Sequence, residues 1–449
     1  MLIETEINGD RYILDCDPFE RAIDILRGLG LTSVKEGCGE GECGACTIHL
    51  DSKSVNSCLL PAIHMKNGSI RTLEGMKEET AYLSEEFAQA SAIQCGFCTP
   101  GFIMRGHSYI SSGGGGEREE IRRALDGNIC RCTGYAKIVD ALQSAIATLD
   151  IEKDSPKTAQ EHGTDEREKK VSIKTERKLP HYLEAKDIRE AVEHLENNLD
   201  YEIMCGSTDI MISIKSGKSA RGYIDIGGID SLKEISVHDE MISIGSAVTI
   251  AELTENEAIS RYLPILRETA STFASSQIRN LATIGGNIMH GSPVGDMQAP
   301  LVALGAEAVV RSIDTIEKVA VEKLFHGYKE SEYADTIVTS FEIPIRKHRW
   351  YYRKVGGRKR LNISKLSLSI VSFADGDFGV SGASLNPYPK RFTTLENLLK
   401  RGERDRDRIM EAIEVDISPR GSFRSTVEYR KSVLLNMVME AIERFDSDG

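Results

Sequence analysis

The stretch Glu36–Cys58, EGCGEGECGACTIHLDSKSVNSC, places Cys38, Cys43, Cys46 and Cys58 in the order C-x4-C-x2-C followed by a more distant fourth thiol. That order is the plant-type spacing for a [2Fe-2S] cluster. Gly37, Gly39, Gly41 and Gly44 suit the same purpose. A loop that wraps four sulfurs must bend tightly and turn its amide N–H groups inward, which glycine permits. Structural zinc sites favour paired C-x2-C hooks instead. Ten cysteines behind an N-terminus that does not read as a signal peptide fit a reducing compartment better than a disulfide framework.

A second set of four lies further along. Gln94–Gly101, QCGFCTPG, supplies Cys95 and Cys98, and Gly127–Tyr135, GNICRCTGY, supplies Cys130 and Cys132. Two tetrads imply two clusters. Neighbouring thiolates separated by one residue reach a common metal centre only from a sharply turned backbone. Taken together, EGCGEGECGAC, QCGFCTPG and NICRCTGY resemble the N-terminal iron-sulfur region of the xanthine dehydrogenase family of molybdenum hydroxylases. All three occur in family order, and the combination is far more specific than any one short motif.

Outward from the cysteines, 449 residues exceed one ordinary core, so two or three domains are expected. A net charge of −13 argues against a nucleic-acid binder or a protein held to anionic lipid by its own charge. No run approaches the ~18 apolar residues of a membrane span. The expectation is a cytoplasmic protein.

Local patterns give an order of elements. Residues 1 to 15 alternate apolar and polar around Asn8-Gly9, the strongest short hairpin signal. Pro18 to Gly30 reads as an amphipathic helix, and Thr47–Leu50 and Val55–Leu60 as strands. From Thr80 the period shifts to 3.6, giving helices over 81–93, 100–111, 117–126 and 135–148, with Ser111–Gly116 as a glycine-rich connection. The stretch 151–178 holds few large apolar residues and reads as a mobile charged linker.

Beyond the linker, Tyr201–Met204 reads as a strand running into Cys205-Gly206-Ser207-Thr208-Asp209 and a helix. Such a turn can hold a phosphate against helix amides, although alone it is equally an ordinary strand-to-helix turn. RNLATIGGNI over 279–288, SPVGD over 292–296 and IDIGGIDSLKEI over 224–235 resemble the FAD-binding domain of the same family. The resemblance implies pyrophosphate and ribose contacts from Met204, Gly206, Ser207, Thr208 and Asp209, and from Thr283, Ile284, Gly285, Gly286 and Asn287. It places Ser292 and Asp296 near the flavin ring, with Lys365 and Arg391 as basic residues able to approach it. The first loop departs from the family pattern of a small residue and paired glycines, because Cys205 and a single Gly206 precede Ser207. Cys205 and Cys16 read as small buried residues, and His49, His64, His107, His290 and His326 as structural or solvated.

The fold class implied is α+β multidomain: a plant-type ferredoxin β-grasp domain over 1–76, a four-helix [2Fe-2S] bundle over 77–150, the linker over 151–178, an α+β FAD-binding domain of the vanillyl-alcohol-oxidase/PCMH type over 179–346, and a small α+β C-terminal domain over 347–449. The chain holds no candidate for substrate chemistry, so catalytic residues on it are none. The resemblance therefore implies an iron-sulfur and flavin subunit of a split xanthine dehydrogenase-like enzyme, working with a large molybdopterin-binding subunit as a dimer of heterodimers. The Cys95/Cys98/Cys130/Cys132 cluster would face molybdenum, with Gln94 hydrogen-bonding the pterin, and the Cys38/Cys43/Cys46/Cys58 cluster would face FAD, which reduces NAD. Other readings are the equivalent subunit of an aldehyde, nicotinate or carbon monoxide dehydrogenase, a stand-alone electron-transfer or diaphorase module, and a redox-sensing binding protein.

Overall fold

The computed structural model describes residues 1–152, 169–173, 179–198, 200–358 and 361–447. The chain divides into two compact units that do not follow chain order. One comprises Met1–His181, Ser207–Ser219 and Ala274–Leu281, the other Tyr182–Gly206, Ala220–Phe273 and Ala282–Gly449.

In the first unit, β1 (Leu2–Ile7) and β2 (Asp10–Asp15) form the expected hairpin, with Asn8 at φ 54° and Gly9 at φ 88° supplying the left-handed turn. Ile3, Thr5 and Ile7 point inward while Leu2, Glu4 and Glu6 face solvent, as a period of two requires. Helix α1 (Ala22–Gly28) buries Ala22, Ile23, Ile25 and Leu26. It begins four residues later than the pattern over Pro18–Gly30 suggests. Asp17 accepts from the Phe19 N–H in a local turn, and Arg21 is extended and bridged to Pro61.

Strand β3 (Thr47–Leu50) pairs with β4 (Lys53–Asn56), and β5 (Ser69–Arg71) joins β1. The strand expected over Val55–Leu60 stops at Asn56, because the Ser57 N–H turns back to the Cys46 carbonyl and so presents Cys58. Helices α2 (Ala81–Gln89), α3 (Thr99–Ser111), α4 (Arg118–Ala124) and α5 (Ala136–Glu152) follow as predicted in number and place. Leu83, Phe87, Phe102, Ile121, Ile138 and Leu142 form their shared core. Each such side chain, fully buried, contributes ~1.5–3 kcal/mol.

The linker expectation needs correcting at one point. Lys169–Ser172 is a strand, β6, that pairs parallel to β2 and completes a six-stranded sheet in the order β4-β3-β5-β1-β2-β6. An unpaired edge strand leaves N–H and C=O groups open, and any extended segment can satisfy them whatever its charge. Residues 153–168 and 174–178 of that span lie outside the described residues.

The second unit opens with β7 (His181–Glu184), α6 (Ile188–Asn197) and β8 (Tyr201–Met204). Helix α7 (Thr208–Lys215) belongs to the first unit, and β9 (Gly222–Asp225) returns to make the small sheet β7-β9-β8. Strands β10 (Ile235–His238) and β11 (Met241–Gly245) lead into α8 (Ile250–Glu255), α9 (Glu257–Tyr262) and α10 (Pro264–Ser271). Helix α11 (Ser276–Arg279) again lies in the first unit, while α12 (Ile284–Met289) and the wholly buried α13 (Gln298–Leu304) lie in the second. Strands β12 (Glu307–Arg311), β13 (Ile316–Ala320) and β14 (Ile337–Pro344) close a five-stranded sheet in the order β10-β11-β14-β12-β13.

The last region is a three-stranded sheet of β15 (His348–Val355), β16 (Leu366–Phe373) and β17 (Phe378–Ser381). Helices α14 (Thr393–Lys400), α15 (Arg406–Asp416) and α16 (Val427–Ser447) share one core with it. Every residue of β16 is buried, which explains its near-continuous apolar and serine run. Among the described residues no helix is long and apolar enough to cross a membrane.

Candidate functional site

The first tetrad is gathered by a loop that folds on its own sulfurs. The Glu40 and Glu42 N–H groups donate to Cys38 Sγ at 3.4 and 3.3 Å, and the Cys38 N–H donates to Cys43 Sγ at 3.4 Å. Gly39 and Gly41 take φ of 67° and 75° to aim those amides, and a Cβ on Gly37 would stand 2.7 Å from Cys43 Sγ. Cys46 and Cys58 are buried. The thiols act in pairs. A proton shared from Cys43, helped by the loop N–H groups, holds Cys38 down to about 5, and a hydrogen bond from Cys58 lowers Cys46. Cys43 and Cys58 are pushed up because each keeps the proton for its neighbour, with burial adding to the effect. Among the described residues no three of these side chains stand in a metal-holding group, but paired thiols, inward amides and lowered Cys38 and Cys46 thiols suit ligation of an iron-sulfur cluster.

The second tetrad spans the start of α3 and the turn before α5. Cys132 Sγ lies 3.7 Å from Cys95 Sγ. Burial, with a hydrogen bond to Cys130, pushes Cys98 up to about 12. Cys130 is buried, yet the Thr133 hydroxyl at 3.1 Å and its N–H at 3.4 Å pull its pKa down. Cys95 and Cys132 are exposed, and so is Gln94 beside them. Ile93, Phe97, Ile129 and Tyr135, close to these cysteines in sequence, are exposed by 39–46%.

Two segments from the middle of the chain pack into the first unit near the Cys38–Cys58 loop. From α7, Lys215 Nζ donates to the Cys38 carbonyl at 2.9 Å and pairs with Glu40 at 3.7 Å. The Ser207 hydroxyl donates to the Leu59 carbonyl at 3.3 Å. From α11, Gln277 reaches Thr47 and Asn128, and Asn280 donates to the Ser54 carbonyl at 2.8 Å. Asn128 falls inside the NICRCTGY motif without a role assigned to it, and Gln277 and Lys215 carry no sequence-based assignment. Asn128, two residues before Cys130, was the one of these that its place in the sequence could have singled out.

The predicted flavin residues fall in both units. Met204 and Gly206 close β8 in the second, whereas Ser207, Thr208 and Asp209 open α7 in the first. Ser207 stands at φ 59°. This is the left-handed region where glycine is ordinarily used, and a side chain there costs about 1 kcal/mol. The Ser207 hydroxyl donates to the Leu59 carbonyl. Burial raises the Cys205 thiol to about 12 and the Cys16 thiol to about 11; Cys16 is buried as expected, whereas Cys205 is half-buried.

In the second unit Thr283 caps α12 by accepting from the Gly286 N–H at 3.1 Å. Gly285 lies against Ser246, whose carbonyl oxygen a Cβ would approach to 2.6 Å, while Gly286 is exposed with only Thr283 Oγ1 near its Cβ position. The Asn287 side-chain Oδ1 accepts from the Met297 N–H at 3.2 Å, tying α12 to the turn formed by Ser292 and Gly295. Asp296 pairs with Lys354 at 2.7 Å, both about 10% exposed. Burial still outweighs that lysine and raises the Asp296 pKa. Asp296 Oδ1, Gln298 Nε2 and Ser246 Oγ are buried without a hydrogen-bond partner among the described residues. Leftover polar atoms around an exposed glycine turn fit a polar cofactor. Lys354 carries no sequence-based assignment; it lies in the basic stretch 350–360. Lys365 instead lies over the Tyr429 ring at 5.3 Å, and Arg391 is engaged by Glu396 at 2.9 Å.

The sequence matches three described families: "2Fe-2S iron-sulfur cluster binding domain" over residues 5–80, "[2Fe-2S] binding domain" over 72–143, and "FAD binding domain in molybdopterin dehydrogenase" over 173–346. It is 42% identical over 147 residues to the nicotinate dehydrogenase small FeS subunit of Eubacterium barkeri, covering 32% of this chain and 94% of that protein. It is 27% identical over 415 residues to the xanthine dehydrogenase of Emericella nidulans, covering 77% of this chain and 30% of that protein. The chain thus spans about 30% of the length of the xanthine dehydrogenases it matches. Reconstituted CO dehydrogenase from Oligotropha carboxidovorans shares the fold at a TM-score of 0.56 and 24% identity, covering 59% of this chain and 96% of that one.

Proposed function

Because the chain belongs to the xanthine dehydrogenase family of molybdenum hydroxylases, we propose that it is the iron-sulfur and FAD subunit of a split enzyme whose substrate is oxidised on a large molybdopterin-binding partner. The observation that carries this reading is the contrast between the tetrads. Cys95 and Cys132 are exposed and have apolar side chains beside them in sequence, as an electron entry port under a partner needs. The other tetrad is half-buried to buried and abuts α7 and α11, both inside the span matched by the FAD-binding family.

The eight cysteines would hold two [2Fe-2S] clusters, and Met204, Gly206–Asp209, Thr283–Asn287, Ser292 and Asp296 would hold FAD, with Lys354 joining Asp296. Bound there, the clusters carry single electrons and the flavin stores two and releases a hydride equivalent. The chain's own residues orient and insulate. Loop N–H groups stabilise the thiolates, Thr283 fixes the start of α12, and the Asp296–Lys354 pair sets a buried charge pattern. Gln94 would reach the partner's pterin, and NAD would take the electrons. The domain limits 1–76, 77–150, 179–346 and 347–449, a dimer of heterodimers and a cytoplasmic location belong to the same proposal.

A purine such as xanthine is the first choice of substrate, because the xanthine dehydrogenase match runs along 77% of the chain. Nicotinate is the second, favoured by the higher identity over the iron-sulfur region. The test is anaerobic isolation of the native complex, metal and flavin analysis, and assay of xanthine, nicotinate and aldehydes with NAD. Molybdenum in a large partner, about four irons and one FAD per chain, and xanthine-dependent NADH formation are expected. The same iron and flavin with no large partner, and NADH turnover with dyes, would reduce the protein to a diaphorase. Gly286→Val is expected to lower FAD content while leaving iron unchanged; normal flavin content would remove the second loop from the site.

A further inference from the structure

The two tetrad loops meet at a built junction. The Ile129 N–H donates to the Cys43 carbonyl at 2.9 Å. Cys43 is a member of the first tetrad, and Ile129 is peptide-bonded to Cys130 of the second. A run of covalent bonds interrupted by a single hydrogen bond therefore joins Sγ of Cys43 to Sγ of Cys130. The loops approach this closely because glycines line the contact. A Cβ on Gly44, at φ 65°, would stand 2.1 Å from the Gly127 carbonyl oxygen, and one on Gly101 would stand 2.3 Å from the Gly44 carbonyl oxygen.

A pair of buried amides locks the junction. Asn128, 5% exposed, donates from Nδ2 to the Gly44 carbonyl at 3.0 Å. That bond sets the amide's orientation and leaves Oδ1 facing Gln277, whose Nε2 donates to it at 2.8 Å. Gln277 is fully buried, and its Nε2 also reaches Thr47 Oγ1 at 3.3 Å, which in turn donates to the same Gly44 carbonyl at 2.7 Å. Gln277 Oε1 has no partner among the described residues. A half-satisfied buried amide costs free energy that an apolar side chain of equal size would not. Packing alone gives no reason for glutamine here, whereas fixing Asn128 does.

We propose that Gln277, acting through Asn128, is a positioning residue for electron passage between the two tetrads, holding Cys43 and Ile129 at hydrogen-bond distance. The proposal rests on the reading of the chain as a two-cluster flavin subunit. One electron leaves the Cys95/Cys98/Cys130/Cys132 side, which is oxidised, and arrives on the Cys38/Cys43/Cys46/Cys58 side, which is reduced. No bond is made or broken and no proton moves. Electronic coupling falls less steeply along bonds and hydrogen bonds than across a gap, so a loosened junction slows transfer without altering either ligand set.

The test uses the full chain carrying both clusters and FAD, as parent, Gln277→Met and Gln277→Glu. Flash photoreduction follows the inter-cluster rate, and electron paramagnetic resonance reads both reduction potentials and the magnetic interaction of the reduced clusters. In Gln277→Met, parental iron content and potentials are expected, with the inter-cluster rate reduced several-fold as Asn128 loses its partner and the junction loosens. In Gln277→Glu the rate should recover on acidification. Burial raises the introduced carboxyl's pKa, and only the protonated acid can donate to Asn128 Oδ1. A parental rate in Gln277→Met, or a pH-independent rate in Gln277→Glu, overturns the proposal. Loss of iron from both variants overturns it as well, making the amide an assembly element. A parent chain lacking two clusters would instead sink the functional reading on which the proposal stands.

Discussion

The two cysteine tetrads use the same chemistry in opposite settings. In the first, Cys46 and Cys58 are buried, amides converge on Cys38, and α7 and α11 pack beside the loop. In the second, Cys95 and Cys132 are exposed, and a Cβ on Gly96 or Gly134 would meet nothing within 4 Å. An enclosed site has its potential set by fixed dipoles and is shielded from side reactions, while an open one can be approached by another protein. The comparison sets a half-buried to buried tetrad packed beside α7 and α11 against one with two exposed cysteines; on the proposed function the first would serve as an interior relay and the second as a surface port.

The sharpest way to break this comparison is Cys43→Ser. It should remove the first cluster, about two of about four irons, and halt reduction of FAD while the second cluster remains. Iron assay and electron paramagnetic resonance check it, and full iron content would dissolve the assignment of the tetrads. Glycine substitutions come next. Gly44→Ala combines a left-handed backbone with a clash against the Gly127 carbonyl and should cost roughly 3–4 kcal/mol. Gly96→Ala, at φ 79° in open space, should cost only about 1 kcal/mol. Denaturant midpoints of the two variants measure the difference, and equal costs would mean the two loops are equally packed.

A smaller effect is expected from acid. His49 follows the first tetrad on β3 and donates from Nε2 to the Met104 carbonyl at 2.8 Å. Burial lowers its pKa from 6.5 to about 4, and burial lowers that of His107, 5.6 Å away ring to ring, as well. The folded-state value lies below the unfolded one, so the unfolded chain takes up the proton first. Stability is therefore full above about 6.5 and lost as pH falls towards about 4, by up to ~3 kcal/mol for His49. His49→Gln, which keeps a donor for Met104, should flatten that part of the profile in denaturant unfolding measured between those values. The least perturbing test is labelling. In cluster-free chain a bulky maleimide should modify Cys95 and Cys132 well before Cys46 and Cys58, read by mass spectrometry of peptides. Equal rates would erase the distinction between port and relay.

Much of this was legible in the residues. Thiol spacing, the Asn8-Gly9 turn and the 3.6 period after Thr80 are local properties, set by the reach of a few bonds and the allowed backbone angles, so they can be read without a partner. The edges of elements were less legible where side chains compete with the backbone, as Asp17 does at the start of α1 and the Ser57–Cys46 turn does at the end of β4. The pairing of Lys169–Ser172 with β2 was invisible, because strand addition depends on an open edge rather than on the added sequence.

By itself, then, the sequence supplied the spacing from which two cysteine tetrads are proposed and the glycine pair at the start of α12, because spacing and glycine positions are local properties. Only the tertiary structure decided that Gln277 and Lys215 reach the cysteine loops across 149 and 177 residues, that Lys354 pairs with Asp296, and that Cys46 and Cys58 are buried while Cys95 and Cys132 are exposed. Burial and long-range hydrogen bonding depend on which distant segments pack together, and no local pattern encodes that.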